Sequence, residues 1–348
     1  MAVTIKDIAE IAQVSHTTVS RALRRHSAIS RDTAVRIRQI ADELGYIPNT
    51  VARGLKTSSS HVFGVIVCRI DDPFIGEVID GIEETLQAEG YSLFLAASHY
   101  EPEREKAIIR TMNEHRVDGV IICSPQADVE QVQQLQKFGV PTVLVNNQAQ
   151  EAATSSVSHD DEYGSYELTR HLLTLGHTDI GYLGNGIAGK INEDRLCGYR
   201  RALTDAGLPF REELVFAGPN GLAVGGGLAV EQYLRLGQRP SALVCFSDMM
   251  AIGALQVLQK NGLHVPQDCS IVGFGNISFS AYVTPPLTTF HQPQREIGRE
   301  AALMALRLLR GGANDAEPET KLLRGELVVR DSTAPARGRA LQANEGGD

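Results

Sequence analysis

From residue 62 onward, apolar runs of strand length alternate with longer stretches whose apolar positions recur at helical spacing. The runs VFGVIVC, YSLFLAA, DGVIIC, PTVLVN, DIGYLGN, ALVCFS and CSIVGFG hold few polar residues, which is typical of strands buried on both faces. After the first run, Phe74, Val78, Ile82 and Leu86 recur every four residues and predict a helix. The alternation predicts an open, doubly wound α/β fold of parallel strands and crossover helices, which binds ligands at the carboxyl ends of its strands.

The first 45 residues carry a different pattern, which predicts three short amphipathic helices. Thr4, Ser15 and Ser30 each precede such a helix, where a side-chain oxygen can cap the first turn. The residues AQVS leave room only for a tight turn between the first two helices. Two helices joined in this way, with a third closing the core, form an all-α helix-turn-helix, whose second helix enters the major groove of DNA by its N-terminal residues.

The segment GYIPNTVARGLKTSS, residues 45–59, follows this head and has no core of its own. Asn49 can cap a short helix over residues 50–56, in which Leu55 is exposed. Helices shorter than about 12 residues are marginal in water, and Gly54 costs this one about a further 1 kcal/mol. We therefore expect the segment to fold only against a partner, and its leucine suits a wedge between base steps of the minor groove.

Charge is distributed unevenly along the chain. The whole sequence has a formal net charge of -9, but residues 1–60 hold nine Lys and Arg against five Asp and Glu, a balance of +4. The other 288 residues therefore carry -13. Because charges more than about 8 Å apart are largely screened at physiological salt, a basic head can engage phosphate while an acidic body stays at a distance.

Length and composition narrow the class of protein further. A chain of 348 residues predicts two or three domains. Five cysteines without CxxC spacing argue against a disulfide framework and against a zinc site. No apolar run is long enough to span a membrane, and the start MAVTIKDIAEIAQ lacks the profile of a secretory signal. We expect a cytoplasmic protein that holds no metal and no membrane anchor.

The sequences TIKDIAEIAQVSHTTVSRAL and ELGYIPNTVARGL resemble the DNA-binding head and hinge of the lactose-repressor (LacI/GalR) family. The resemblance implies a homodimeric transcription regulator, most often a repressor, on double-stranded operator DNA. It makes His16, Thr17 and Arg21 the expected base contacts and Leu55 the minor-groove wedge. The remaining expected contacts, which bind phosphate or position the helices, are Thr4, Ser15, Thr18, Ser20, Asn49 and Arg53.

The resemblance extends over the body through SHDDEYGSYELTRHLLTLGHTDIGYL, EDRLCGYRRAL and TPPLTTFHQP. It implies two doubly wound parallel-sheet subdomains of the periplasmic-binding-protein type I, joined by three crossings, with a small-molecule effector in the cleft. The expected domains are a head over residues 1–46, a hinge over 47–60, an effector-binding and dimerisation domain over 61–333 and a disordered tail over 334–348. The tail has no heptad leucines, so we expect a dimer rather than a tetramer. The expected effector contacts are Phe74, Ser124, Asn146, Asp160, Lys190, Arg195, Ser247, Asn276 and Gln292.

Two departures from the family pattern bear on the effector. Gly275 stands where many members have an aspartate that binds ligand polar groups, and Asn276 follows as a possible substitute. Asn220 stands where an aromatic ring often stacks on a sugar. Without that ring and that carboxylate, an anionic effector such as a sugar acid or phosphosugar suits Arg195 and Lys190 better than a neutral sugar.

Two other functions remain open at the level of sequence. Residues 184–189, GNGIAG, fit the GxGxxG fingerprint of an NAD-dependent dehydrogenase. That fingerprint also requires an acidic residue at the end of the next strand, where ELVFAG has none, and a helix directly after the loop, where the helical pattern begins only near Arg195. We therefore interpret the loop as one side of an effector cleft and expect no cofactor. The second alternative is a sugar-binding module with a non-functional head.

Overall fold

The computed structural model describes residues 3–23, 26–46, 59–124, 129–147, 154–312 and 317–336, which fall into two compact units, residues 1–60 and 61–348. Three predicted DNA contacts, Asn49, Arg53 and Leu55, lie outside the described residues, as do residues 337–348 of the predicted tail. The domain boundaries expected at residues 46, 60 and 333 stay predictions.

Three helices, α1 (Ile5–Ala12), α2 (His16–Leu23) and α3 (Arg31–Glu43), form the described part of the first unit. The Ser15 hydroxyl caps α2 by accepting a hydrogen bond from the Thr18 amide at 3.1 Å. The backbone turns between α1 and α2 at Gln13, which has a left-handed φ of 52°. The most buried side chains of the small core are Ile8, Val19, Ala22 and Ile37. The predicted helical head is confirmed.

The first lobe of the second unit is a parallel sheet with helices on both faces. Its elements are β1 (Val62–Val67), α4 (Pro73–Ala88), β2 (Ser92–Ala97), α5 (Pro102–Glu114), β3 (Gly119–Cys123), α6 (Val129–Lys137), β4 (Thr142–Val145), β5 (Ser155–His159), α11 (Gln294–Gly311) and β11 (Thr320–Leu323). The strand order is β11-β5-β4-β3-β1-β2, and all neighbours are parallel. Strands β1, β3 and β4 are buried along almost their whole length, as their apolar runs predict.

The second lobe repeats this plan. Its elements are α7 (Asp161–Thr174), β6 (Ile180–Asn185), α8 (Lys190–Asp205), β7 (Val215–Gly218), α9 (Ala223–Leu234), β8 (Ala242–Cys245), α10 (Asp248–Lys260), β9 (Ser270–Gly275), β10 (Thr288–His291) and β12 (Glu326–Val328). The order is β12-β10-β9-β8-β6-β7, with β12 antiparallel to β10. The chain passes between the lobes after β5, after β10 and after β11. The predicted doubly wound α/β fold is confirmed.

Helix pairs on these sheets pack with their backbones in direct contact because glycine stands at the crossing. Gly81 of α4 faces the Arg295 carbonyl of α11, and Gly226 of α9 faces the Met250 carbonyl of α10. A Cβ added at either glycine would lie only 2.1 Å or 2.0 Å, respectively, from the facing carbonyl oxygen. By contrast, a Cβ added at Gly76 of α4 would meet no atom within 4 Å.

Three further observations on the described residues concern cysteines, metal-binding groups and membrane-spanning helices. All five cysteines are free thiols, four of them buried. Within the described ranges, no group of three or more His, Cys, Asp and Glu side chains could hold a metal ion. Nor does any helix in these ranges have the length and apolar character needed to cross a membrane.

Two histidines hold the last described segment against the second lobe. His177 lies 2.9 Å through Nε2 from the Ala334 carbonyl oxygen and 2.8 Å through Nδ1 from the Ser241 hydroxyl. His171 Nε2 lies 3.1 Å from the Thr333 hydroxyl. Burial lowers the pKa of both imidazoles below the usual 6.5, although the bond to Ala334 opposes this shift for His177.

These pKa shifts predict a loss of stability in mild acid. A histidine whose pKa is lower in the folded than in the unfolded protein binds more protons when unfolded, so its contribution is complete above pH 6.5 and declines as pH falls below it. The slope is at most about 1.4 kcal/mol per pH unit for each histidine. We expect urea unfolding between pH 7 and pH 5 to show a smaller decline for His177→Gln than for the wild type.

The exposed His264 of the same unit provides the control for this prediction. His264→Gln should keep the pH dependence of the wild type. An unchanged decline in His177→Gln would contradict the role given to this side chain.

Candidate effector cleft and DNA-binding surface

A cavity of about 340 Å³ lies between the two lobes of the second unit. It is formed at the carboxyl ends of β1, β3 and β4 in the first lobe and of β6, β8 and β9 in the second. Its wall is largely apolar and aromatic, with a small number of charged and amide side chains. Such a cavity, at the ends of parallel strands, is the usual form of a small-molecule site in this fold.

Five of the nine expected effector contacts line this cavity. They come from the ends of β4, β8 and β10 and from helices α4 and α8, so the fold brings together residues far apart in sequence. The five are Phe74, Asn146, Arg195, Ser247 and Gln292.

Ser124 and Asp160 are not among the lining residues, and other groups engage both of them. Ser124 is buried and accepts a hydrogen bond from the Cys68 thiol at 3.5 Å. Asp160 caps α7, and its second carboxylate oxygen accepts a hydrogen bond from Arg324 Nε at 3.1 Å.

Lys190 and Asn276 are likewise engaged outside the lining. Lys190 forms an ion pair with Asp194 one turn along α8. Asn276 accepts a hydrogen bond from Arg330 at 2.7 Å, and this bond ties it to the C-terminal segment. The structure therefore leaves Lys190 and Asn276 less free to bind a ligand than the sequence suggested.

Arg195 is a buried charge in the cleft and is held by several groups. It is 7% exposed, and its guanidinium lies over the rings of Phe246 and Phe274, 4.4 Å and 3.8 Å from their centroids. Nε and Nη2 each approach Asp161 Oδ1 at 2.8 Å, and Nη1 donates to the Phe246 carbonyl. Each Nη keeps a second N–H for a ligand, because a guanidinium carries five donors.

Asp161 at the start of α7 balances this buried cation. Burial is the largest single influence and opposes ionisation of its carboxyl group, but the charges and hydrogen bonds of Arg195 and His159 together outweigh burial and lower the pKa of Asp161. The His159 ring also lies against the pair, with Nδ1 at 3.7 Å from Asp161 Oδ1. Asp161 thus fixes both the charge and the orientation of Arg195.

Two carboxylates in the lining were not expected from the sequence. Asp72 caps α4 by accepting a hydrogen bond from the Phe74 amide at 3.0 Å. Asp248 is fully enclosed and accepts hydrogen bonds from Thr289, from Ser280 at 2.6 Å and from the Ile277 amide at 2.9 Å. Burial raises the pKa of both carboxyl groups, and these hydrogen bonds oppose the rise. For Asp72 the sequence did contain a signal, because an Asp-Pro pair shortly after a strand is typical of a helix N-cap.

Tyr100 and Asn146 also line the cleft, and both have a left-handed backbone. Tyr100 has a φ of 62°, directly after His99 at 55°, and Asn146 has a φ of 50°. Such conformations cost free energy in residues other than glycine and gather at functional sites. Burial raises the pKa of the Tyr100 phenol to about 12, with smaller contributions from Cys68 and Asp72 nearby. The phenol therefore stays protonated at neutral pH.

The glycine loop at residues 184–189 forms one side of the cleft through Asn185, Ile187 and Ala188. The helix after it begins at Lys190, so the expectation of a start near Arg195 was wrong. The reason is that Gly189 takes a positive φ at the cap and the Lys190–Asp194 pair supports the first turn. The amides of Gly186 and Ile187 already donate to Gly218 O and Asn185 Oδ1. These two amides are therefore not free to bind a dinucleotide phosphate.

The N-terminal half of α2 forms the candidate DNA-binding surface. Ser15, His16, Thr17 and Arg21 are exposed, while Thr18 and Ser20 are partly buried. Thr4 is exposed at the start of α1, where its backbone amide and hydroxyl donate to Asp7 Oδ2 at 2.7 and 2.8 Å. The helix-turn-helix therefore presents the polar side chains that the sequence assigned to DNA.

The head and the body each match a described family. Residues 4–49 match the model "Bacterial regulatory proteins, lacI family", and residues 169–333 match "Periplasmic binding protein-like domain". The chain is 35% identical over 332 residues to the HTH-type transcriptional repressor PurR of Vibrio campbellii, covering 94% of this chain and 98% of the relative. PurR of Aliivibrio fischeri MJ11 is also 35% identical, over 333 residues, with the same coverage.

Solved structures give the same result. A Lac repressor dimer bound to operator and the anti-inducer ONPF superposes with a TM-score of 0.85 at 28% identity, covering 96% of this chain and all of the other. The CelR–cellobiose complex has a TM-score of 0.73 at 28% identity, covering 95% of this chain and 99% of that chain. With its helix-turn-helix head, its two-lobed body and repressor relatives along nearly its whole length, this chain belongs to the lacI family of bacterial regulatory proteins.

Proposed function

We propose that this chain is a sequence-specific transcriptional repressor that binds double-stranded operator DNA as a homodimer in the cytoplasm. The observation that carries the proposal is the set of exposed polar side chains on α2 and directly before it, Ser15, His16, Thr17 and Arg21, on a helix-turn-helix. Its relatives are repressors, and the Lac repressor is a dimer on its operator.

The cleft is the proposed site of a sugar-like effector. Phe74 and Phe246 offer apolar faces for a ring, and Asn146, Arg195, Ser247 and Gln292 offer polar atoms around it. Two relatives in solved complexes bind cellobiose and ribose. The effector would act by population shift, because closing the lobes around it favours one arrangement of the dimer.

The hinge is the proposed link between the cleft and DNA. Residues 47–60 would form helices only when two copies meet on an operator, with Leu55 as the wedge in the minor groove. An effector that changes the spacing of the two hinges would then change operator affinity, with a typical coupling of about 1–3 kcal/mol.

Replacing Thr17 with alanine should lower the affinity for the operator about tenfold and leave affinity for random duplex unchanged. The reason is that a base contact carries sequence information, whereas phosphate contacts do not. A gel shift on DNA upstream of the gene, with random duplex of equal length as competitor, measures both affinities.

Gln39 on the exposed face of α3 provides the control, and Gln39→Ala should bind as the wild type does. Failure of the wild type to bind any duplex at low salt would contradict the proposal. It would favour a sugar-binding module with a non-functional head. Nucleotide-dependent oxidation or reduction of a substrate would instead favour the dehydrogenase.

A further inference from the structure

We infer that the effector carries a protonated amino group, which Asp72 binds at the end of the cleft formed by the first lobe. This inference rests on the proposed function, since it names the chemistry of the ligand that the cleft would take. It differs from the anionic effector that the sequence alone favoured.

The cations of the cleft already have anionic partners. Arg195 is paired with Asp161. Arg69, the other arginine of the lining, forms a two-point contact with Asp71 at 2.8 and 2.5 Å. Neither Asp161 nor Asp71 is among the described lining residues, so each guanidinium is paired with a carboxylate outside the lining.

The carboxylates of the lining, in contrast, have no cationic partner at contact distance among the described residues. Asp248 is stabilised by its hydrogen bonds from Thr289, Ser280 and Ile277, which occupy both of its oxygens. Asp72 has a single hydrogen bond, from the Phe74 amide to Oδ1. Its Oδ2 has no partner among the described residues and is available to the cleft.

Other residues of the cleft wall also favour the binding of a cation near Asp72. The rings of Phe74 and Tyr100 line the same part of the cleft, and aromatic faces attract ammonium groups. Asn146 Oδ1 is a second acceptor in this wall, buried and without a hydrogen-bond partner. A ligand with an ammonium group and further N–H or O–H donors would satisfy both oxygens and would also neutralise the carboxylate, which an anion cannot do.

The N-terminus of α4 carries a partial positive charge, which stabilises the ionised form of the Asp72 carboxyl group against the effect of burial. Burial raises the pKa of this carboxyl group, and the nearby charges of Arg195 and Arg69 also favour its ionised form. An anionic ligand placed there would be repelled by the Asp72 carboxylate, and the two arginines that act on this carboxylate, Arg195 and Arg69, already have carboxylate partners of their own. A neutral ligand would give the Asp72 carboxylate a weaker hydrogen bond than an ammonium group would.

The test compares matched ligands on full-length protein by calorimetry and ligand-observed NMR. Two triads serve as probes: glucosamine, glucose and gluconate, and benzylamine, benzyl alcohol and benzoate. We expect the amine to bind about 10- to 100-fold more tightly than its neutral counterpart in at least one triad, which is the range for a hydrogen bond to a charged group. The acid should bind most weakly.

Two variants isolate the carboxylate. Asp72→Asn keeps an oxygen to cap α4 and should remove the preference for the amine. Asp80→Asn, which changes the net charge equally at an exposed position of the same helix, should keep it. Operator binding without ligand by Asp80→Asn should equal that of the wild type, so a failed gel shift with both proteins speaks against the repressor and leaves the ligand result separate.

An alcohol or acid that binds as tightly as the matched amine in both triads would overturn the inference. So would a preference for the amine that survives in Asp72→Asn. The absence of binding by every amine at millimolar concentration would overturn it as well.

Discussion

Asp161→Ala should lower the free energy of unfolding of the second unit by about 3–5 kcal/mol, the usual cost of removing one partner from a buried ion pair. The carboxylate and the Arg195 guanidinium are 2% and 8% exposed, and two nitrogens contact one oxygen at 2.8 Å. Without the carboxylate, the guanidinium would stay buried between two aromatic rings with no counter-charge. Urea unfolding followed by circular dichroism measures the change.

The neighbouring residue supplies a matched control. Glu162 pairs with Arg201 across the same two helices, but these side chains are 37% and 46% exposed. Solvent screens such a pair, so Glu162→Ala should cost no more than about 1 kcal/mol. Equal losses in the two variants would refute the assignment of a buried pair. The double variant Asp161→Leu, Arg195→Met should recover much of the stability, because it leaves no buried charge.

Gly81→Ala should destabilise the first lobe by about 2–3 kcal/mol, in the range found for overpacked interiors. The new Cβ would lie 2.1 Å from the Arg295 carbonyl oxygen, so α4 and α11 would have to move apart. Thermal and urea unfolding both measure the loss.

Gly76→Ala in the same helix is the control for this prediction and should have the opposite sign. Its Cβ meets nothing within 4 Å, and alanine is favoured over glycine in a helix by about 0.5–1 kcal/mol. If both alanines stabilised the protein, the close contact of α4 with α11 would not exist in solution.

Apolar runs predicted strands such as β1, β3 and β4 because a strand buried on both faces usually has apolar residues at nearly every position. They gave no sign of β5, whose residues SSVSH are buried although mostly polar, and wrongly predicted two buried faces for β2. Periodicity also gave no sign of α9, which begins with AVGGG, since three consecutive glycines disfavour a helix locally. The structure overrides that preference by packing. Cβ atoms at Gly225 and Gly226 would lie 2.0 Å from the carbonyl oxygens of Asn220 and Met250. Only glycine fits there, and this requirement appears only when α9 meets its surroundings.

The site was predictable as far as strand ends could be located. Phe74, Ser247 and Gln292 follow strands, and the topology brings strand ends together. The partner of each side chain was not predictable, because it comes from a distant part of the chain. Asn276 is held by a residue 54 positions away, and Arg195 by one 34 positions away. These pairings decide which polar atoms stay free for a ligand, and Asp72 becomes prominent only once they are known.

The three crossings of the chain between the lobes set the order in which the strands of the two sheets are synthesised. Each sheet receives a strand from the last part of the chain, β11 in the first lobe and β12 in the second. Helix α11 packs on the first sheet, but in the chain it follows nine of the ten helices and strands named above for the second lobe, all except β12. Each sheet therefore receives its last strand only after most of the other lobe has been synthesised, and neither sheet can be complete before residues 320–328 have been made.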